Sequence, residues 1–252
     1  MYLVSSSLFS YNHLSYYGRS ISIPLFLCLI CKLNISILMK TKTSRIIRNR
    51  WQRALRDRKY LIKFTCSLII LLATAFFIPF YFEFVQVRKG IRLNDLLLDM
   101  IPPADCSFII FTLLYSTLIA GVISVLHFPA RTVSFIVSYI LLSVFRIMSV
   151  YFFPLEPPGA LVTLNDPVVD LLFYNKNTIT KDLFFSGHSA TLFLIFHYQN
   201  NNAIRKYLLL VAVVVSFLLL IQHVHYTIDV LAAPFFAFLT FSIIRYVENN
   251  NT

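Results

Sequence analysis

At 252 residues the chain has room for one or two soluble domains, yet 58% hydrophobic and 16% aromatic residues against 13% charged ones exclude an ordinary soluble protein. Its net charge of +11 does not point to nucleic acid, because ten Lys and Arg residues fall between Lys40 and Lys63, immediately before the first strong apolar run. Membrane topology and anionic lipid account for such a cluster, and the composition predicts an all-α, polytopic integral membrane protein.

Residues 1–38 differ in texture from the rest. The apolar stretch from Ile21 to Met39 is interrupted by Lys32 and Asn34 and carries no small-residue cleavage site. Three readings compete: a weak extra span, an uncleaved signal-like segment, or translated upstream sequence before a start at Met39. The last is favoured, because Met39-Lys-Thr-Lys opens a basic leader over residues 39–60. Within it Ile46, Ile47, Trp51, Ala54 and Leu55 recur at helical spacing among arginines, which predicts an amphipathic helix on the inner leaflet, with a solvated basic helix as the plainer reading.

Apolar runs long enough for a hydrocarbon core of about 30 Å follow within a catalytic domain over 61–246. They place six spans near Leu61–Phe82, Ser107–Phe128, Thr132–Phe153, Leu183–Gln199, Lys206–His223 and His225–Tyr246, before a polar tail at 247–252. The basic leader sets the N-terminus in the cytoplasm, and six crossings return the C-terminus there. On this map His188 and His225 open their spans at the same outer face.

Arg146 lies about 21 Å along the third span at roughly 1.5 Å per residue. A buried arginine at that depth requires an anionic partner. It reads as a phosphate clamp, against snorkelling to the headgroups or pairing with a loop carboxylate. The loop after the first span holds Asp95, Asp99, Pro102-Pro103 and Asp105. The loop after the third holds Glu156 in a proline-broken run that continues through Asp166-Pro167 and Asp170. These acids are candidates to bind a cationic headgroup or support the histidines, although loop carboxylates are more often simply solvated.

The chemistry concentrates in Asp182-Leu-Phe-Phe-Ser-Gly-His188-Ser and His225-Tyr-Thr-Ile-Asp229-Val. His225 and Asp229, four apart, share a helix face, so the carboxylate is placed to orient the imidazole and stabilise its cation. Ser186 is a good N-cap, Gly187 admits a ligand to the backbone, and the N–H groups of the first turn attract anions. Two imidazoles, a carboxylate and a helix N-terminus suit phosphoryl transfer, one histidine attacking phosphorus and the other protonating the departing oxygen. Single histidines in an apolar chain are usually structural, and His127, His197 and His223 read that way. Cys28, Cys31, Cys66 and Cys106 are scattered in or beside apolar runs, with no cluster for zinc and no disulfide framework.

Ser186-Gly187-His188 followed by His225-x-x-x-Asp229 resembles the type 2 phosphatidic acid phosphatase superfamily, and the fuller text is similar to its sphingomyelin synthase branch. That branch has six spans, an outward-facing site and a Tyr-x-x-Arg-like element in the third span, where this chain has Phe145-Arg146. The departures are specific. Leu219 stands where ordinary phosphatases of the superfamily have an arginine; Thr180-Lys181-Asp182 keeps only the Asp of Cys-Gly-Asp; Val224-His225-Tyr226 replaces Asp-His-Tyr; and Pro102-Pro103-Ala104-Asp105 is what remains of a proline-rich motif.

The resemblance implies a phospholipid donor whose phosphate sits between Arg146 and Ser186-Gly187, catalysis by His188, His225 and Asp229, and a phosphohistidine on His225. The acceptor would be a lipid alcohol, ceramide or diacylglycerol-like, with Asp182, Glu156 and Asp105 as supporting or headgroup-binding residues and no metal or cofactor. Water as acceptor makes the same site a lipid phosphatase or phospholipase. A silent lipid-binding membrane protein is the reading from another class. The lean loops favour a bacterial inner membrane with a periplasmic site, or a Golgi or plasma membrane in a eukaryote.

Overall fold

A computed structural model describes residues 42–164 and 179–250. The readings of residues 1–38, of Cys28 and Cys31, and of Asp166 and Asp170 lie outside the described residues. Among those described, every regular element is a helix, and the one strand-like contact is an isolated parallel bridge between Ile91 and Leu155.

Helix boundaries follow local chemistry. Helix α1 (Lys42–Arg56) ends before Asp57, whose carboxylate accepts the Lys59 N–H at 2.9 Å and caps α2 (Arg58–Val87). Asp95 caps the single turn α3 (Leu96–Asp99), and α4 (Ser107–Leu126) begins where the Asp105 carboxylate accepts the Ser107 N–H. Pro129 opens α5 (Pro129–Phe152), a position where its missing N–H removes no helix bond. Ser186 caps α6 (Gly187–His197), and Asn201 caps α7 (Asn202–Ile221) by accepting from Ala203 and Ile204. The last helix, α8 (Thr227–Asn250), is capped from a distant loop: Asp95 accepts the Thr227 N–H at 2.6 Å and the Thr227 hydroxyl at 3.0 Å.

Among the described residues, five helices, α2, α4, α5, α7 and α8, are long and apolar enough to cross a membrane. The span expected over Leu183–Gln199 is α6, whose 11 residues extend about 16 Å at roughly 1.5 Å per residue. Residues before Gly187 stay out of the helix because Ser186 is extended and donates its own N–H to the Asp229 carbonyl at 3.1 Å.

Helix α6 lies among α4, α5, α7 and α8, with Ala190, Leu192, Leu194 and Ile195 completely enclosed. In lipid such contacts rest on close approach and interhelical hydrogen bonds more than on water exclusion. Any Cβ at Gly121 of α4 would meet Ile195 Cδ1 at 2.5 Å, so glycine is what lets the two helices meet. The Ser216 hydroxyl donates to Ser189 Oγ at 2.9 Å, and Ser138 Oγ lies 2.7 Å from Tyr198 Oη. Helix α2, by contrast, packs mainly on α5, through Tyr81, Phe82 and Val85 against Val150.

The two ends of the bundle differ in construction. At one end the loops are stitched together: Ile91 N–H donates to Pro154 O (2.9 Å), Glu156 N–H to Ile91 O (3.0 Å), Val162 N–H to Gln222 O (3.1 Å) and Tyr226 Oη–H to Glu156 O (2.8 Å). At the other end α1 and the start of α2 are pinned to the α4–α5 turn, with Trp51 of α1 donating to Leu126 O (2.8 Å) and Tyr60 of α2 to Pro129 O (3.0 Å).

Candidate active site

The starts of α6 and α8 lie side by side at the stitched end. Their registration is a main-chain matter, since the bond from Ser186 N–H to Asp229 O joins the first turn of α8 to the residue that caps α6. The Ser186 side chain accepts from Ser189 N–H at 3.5 Å. Helix geometry leaves the remaining N–H groups of the first turn without helical partners, pointing out of the end of α6.

Arg146 reaches this point from α5. Its Nε donates to Asp182 Oδ1 at 3.0 Å and its Nη2 pairs with Asp182 Oδ2, a two-point contact that fixes the plane of the guanidinium. Its remaining nitrogen, Nη1, lies against Gly187, where any Cβ would collide with Nη1 and Cζ. Gly187 therefore makes room for the arginine. The ring of Phe82 covers the guanidinium at 5.4 Å from its centroid. Ser149, one turn further along α5, bridges to Phe184 O at 2.7 Å and holds the segment before α6 against that helix.

Arg146 is thus paired with a carboxylate from the segment before α6, the alternative to a phosphate clamp, and the two imidazoles occupy the space beside that pair. His225 Nδ1 stands 3.5 Å from Asp229 Oδ2, an ion-pair contact longer than a normal hydrogen bond, while the same Oδ2 accepts the Tyr226 N–H at 2.9 Å. Asp229 is completely buried, and its carboxylate leaves the Nε2 edge of His225 on the far side of the ring. His188 meets the Phe111 ring edge-on with centroids 6.0 Å apart, and Gly187 beside it touches the Arg146 guanidinium. Four enclosed side-chain polar atoms lack a hydrogen-bond partner among the described residues. Three of them, His188 Nδ1, His225 Nδ1 and Asp229 Oδ1, belong to these two motifs, so the unmet hydrogen-bonding capacity of the interior is concentrated here.

The structure thus brings together Arg146, Asp182, Ser186, Gly187, His188, His225 and Asp229. Glu156 and Asp105 serve the loops around them instead. Glu156 accepts from Lys181 Nζ at 2.8 Å and from the Gly90 N–H at 2.9 Å, which holds its carboxyl below the usual range. Asp105 accepts from the Ser107 N–H and hydroxyl, again lowering its carboxyl, and Gln222 Nε2 lies 3.4 Å away. Burial pushes the Asp95 carboxyl up, but hydrogen bonds from Thr227 and Leu98 outweigh it and hold it low.

His223 is buried, with Nε2 2.9 Å from Ile101 O, and the His197 ring stacks on Phe241 at 5.1 Å. Among the described residues no three His, Cys, Asp or Glu side chains converge to hold a metal ion.

Sequence reasoning does not find Phe82, Phe111 or Gln222. Gln222 is fully buried, donating to Ser107 Oγ (2.7 Å) and Thr163 O (3.1 Å) while its Oε1 accepts the Cys106 N–H (3.2 Å). Its one local signal is position, three residues before His225 at the end of an apolar run.

Residues 181–246, which carry both histidine motifs but not Arg146, match the PAP2 superfamily C-terminal family. Compared with curated proteins, the chain matches none.

Proposed function

We propose, taking the match of residues 181–246 to the PAP2 superfamily as premise, that this protein is a membrane phosphotransferase that moves a phospho-headgroup from a glycerophospholipid to a lipid alcohol. The match supports membership of that superfamily, whose members are phosphatases and phosphotransferases. The observation that carries the reading is the meeting of the Arg146–Gly187 contact with His188 and the His225–Asp229 pair.

In this mechanism Asp182 keeps two edges of Arg146 occupied, and the donor phosphate binds Nη1 together with the first-turn N–H groups of α6. Because Nδ1 of His225 faces Asp229, Nε2 is the nitrogen that attacks phosphorus. The bond to the diacylglycerol oxygen breaks as His188 delivers a proton to that oxygen, leaving a phosphohistidine and free diacylglycerol. His188, now neutral, takes the hydroxyl proton of the acceptor, which attacks phosphorus and releases His225. Ceramide is the acceptor that the sphingomyelin synthase resemblance favours. In this reading, supported by the basic leader, α1 and both termini are cytoplasmic and the site is at the outer face, periplasmic in a bacterium or lumenal in a Golgi membrane.

Lipid mass spectrometry of membranes supplied with ceramide and mixed phospholipids tests this. With wild-type protein a new phosphosphingolipid forms alongside diacylglycerol, and His225→Ala and Asp229→Ala lose it while remaining folded. Wild-type rates in both variants remove the site; loss of donor without a new lipid assigns hydrolysis, the reaction of a lipid phosphatase.

A further inference from the structure

The end of the bundle away from the histidines holds a second concentration of charge. Arg50 of α1 and Arg131 of α5 both place their guanidinium carbons within 4.7 Å of the centre of the Phe128 ring. Arg245, in the last turns of α8, lies over Phe241 at 6.0 Å, and the charged groups whose fields bear on Arg131 are Arg245 and Arg50. Arg50 and Arg131 thus share one ring at the α4–α5 turn, and Arg245 stands at the same end of the bundle, where Glu248 of α8 meets Ser134 of α5, so these like charges repel.

The nearby acids, Asp57 capping α2 through the Lys59 N–H and Glu248 accepting from the Ser134 hydroxyl, are too few to match the three arginines. Among the described residues no carboxylate ion-pairs with Arg50, Arg131 or Arg245. Arg50 spends one donor on His127 O at 3.4 Å and has four more. Arg131 starts a helix whose other end carries Arg146, 15 residues and about 22 Å further along at roughly 1.5 Å per residue, so this cluster is separate from the candidate active site.

We propose that Arg50, Arg131 and Arg245 form a binding site for the phosphodiester headgroup of an anionic glycerophospholipid. Planar guanidinium groups suit phosphate oxygens, and basic pockets between spans are recurrent headgroup sites. Leu126, 40% exposed on the same turn, gives the glyceride an apolar surface that a soluble phosphate would not use. Bound there, the lipid ties α1 to α5 and α8 by neutralising one arginine from each. The site does not depend on the catalytic reading.

The test is native mass spectrometry of the purified full chain, detergent-exchanged against equal phosphatidylglycerol and phosphatidylcholine. Wild-type protein retains phosphatidylglycerol several-fold over phosphatidylcholine. Arg131→Gln and Arg50→Gln each reduce that preference about fivefold, the effect of roughly one basic residue at an anionic surface. Arg205→Gln, which removes a cation standing over the single ring of Phe196, keeps it. Should Arg131→Gln fail to fold, Arg245→Gln on the exposed last turns carries the same expectation. Equal retention of the two lipids by wild-type protein overturns the proposal, as does an equal loss in Arg205→Gln. Thermal protection by soluble glycerol phosphate equal to that by phosphatidylglycerol overturns the assignment to lipid.

Discussion

Helices α2 and α6 are opposites. The first is 30 residues long and only 6% of its most apolar stretch is buried; the second is 11 residues long and is enclosed by four others. Among the helices long enough to span a membrane, the longest is the one whose most apolar stretch is least buried. The helix that presents Gly187 and His188 can be short because neighbouring protein, not lipid, satisfies its ends. Hydropathy does not rank these roles, since α4 and α7 match or exceed α2 in apolar character with 33% of their most apolar stretches buried.

The sharpest way to break this contrast is one methyl group on α6. Gly187→Ala places a Cβ into the Arg146 guanidinium, and a displacement of that size lowers turnover about 100-fold, with unfolding temperature little changed. Steady-state assay of the purified variant reads it, and unimpaired turnover means Arg146 does not need its place against Gly187. A smaller effect separates the two helices by stability. Leu194→Ala, completely buried on α6, costs about 2–5 kcal/mol, whereas Phe76→Ala, 74% exposed on α2, stays within about 0.5 kcal/mol. Comparable losses in detergent unfolding would show that α2 is as embedded as α6.

The smallest effect concerns the loops that join the two. Glu156 titrates below its ordinary value of 4.5 because Lys181 and the Gly90 N–H favour its charged form. Its contribution to stability is therefore complete above about pH 4.5 and disappears as pH falls through the lower folded value. Glu156→Gln removes that part of the pH dependence, and unfolding curves of the two proteins converge in acid; a constant offset at all pH values would place the effect elsewhere.

Much of this was legible because its signals in the chain are local. Apolar runs put α4, α5, α7 and α8 close to their expected limits, although Pro129 and Asn201 start α5 and α7 ahead of Thr132 and Lys206, and α8 takes its cap from the distant Asp95. The histidine motifs were legible for the same reason, as His225 and Asp229 are one turn apart. The shortness of α6 was not legible, because residues 183–186 are as apolar as a helix requires and are kept extended by a bond to a residue 43 positions later. Nor was the partner of Arg146: Asp182 is 36 residues away, and nothing local distinguishes it from Asp95 or Asp105 as the carboxylate that would arrive. Gln222 meets Asp105 across 117 residues, which only the closed fold can reveal.

The bond from Ser186 N–H to Asp229 O uses no side-chain atom. It would survive almost any change of letter at either position, proline at 186 being the exception, since proline lacks the N–H. The alignment of the two motifs is therefore inherited from the path of the backbone and not from the residues that identify them. A relative could lose every recognisable letter of both motifs and still hold its two helices in the same register, ready for a different chemistry.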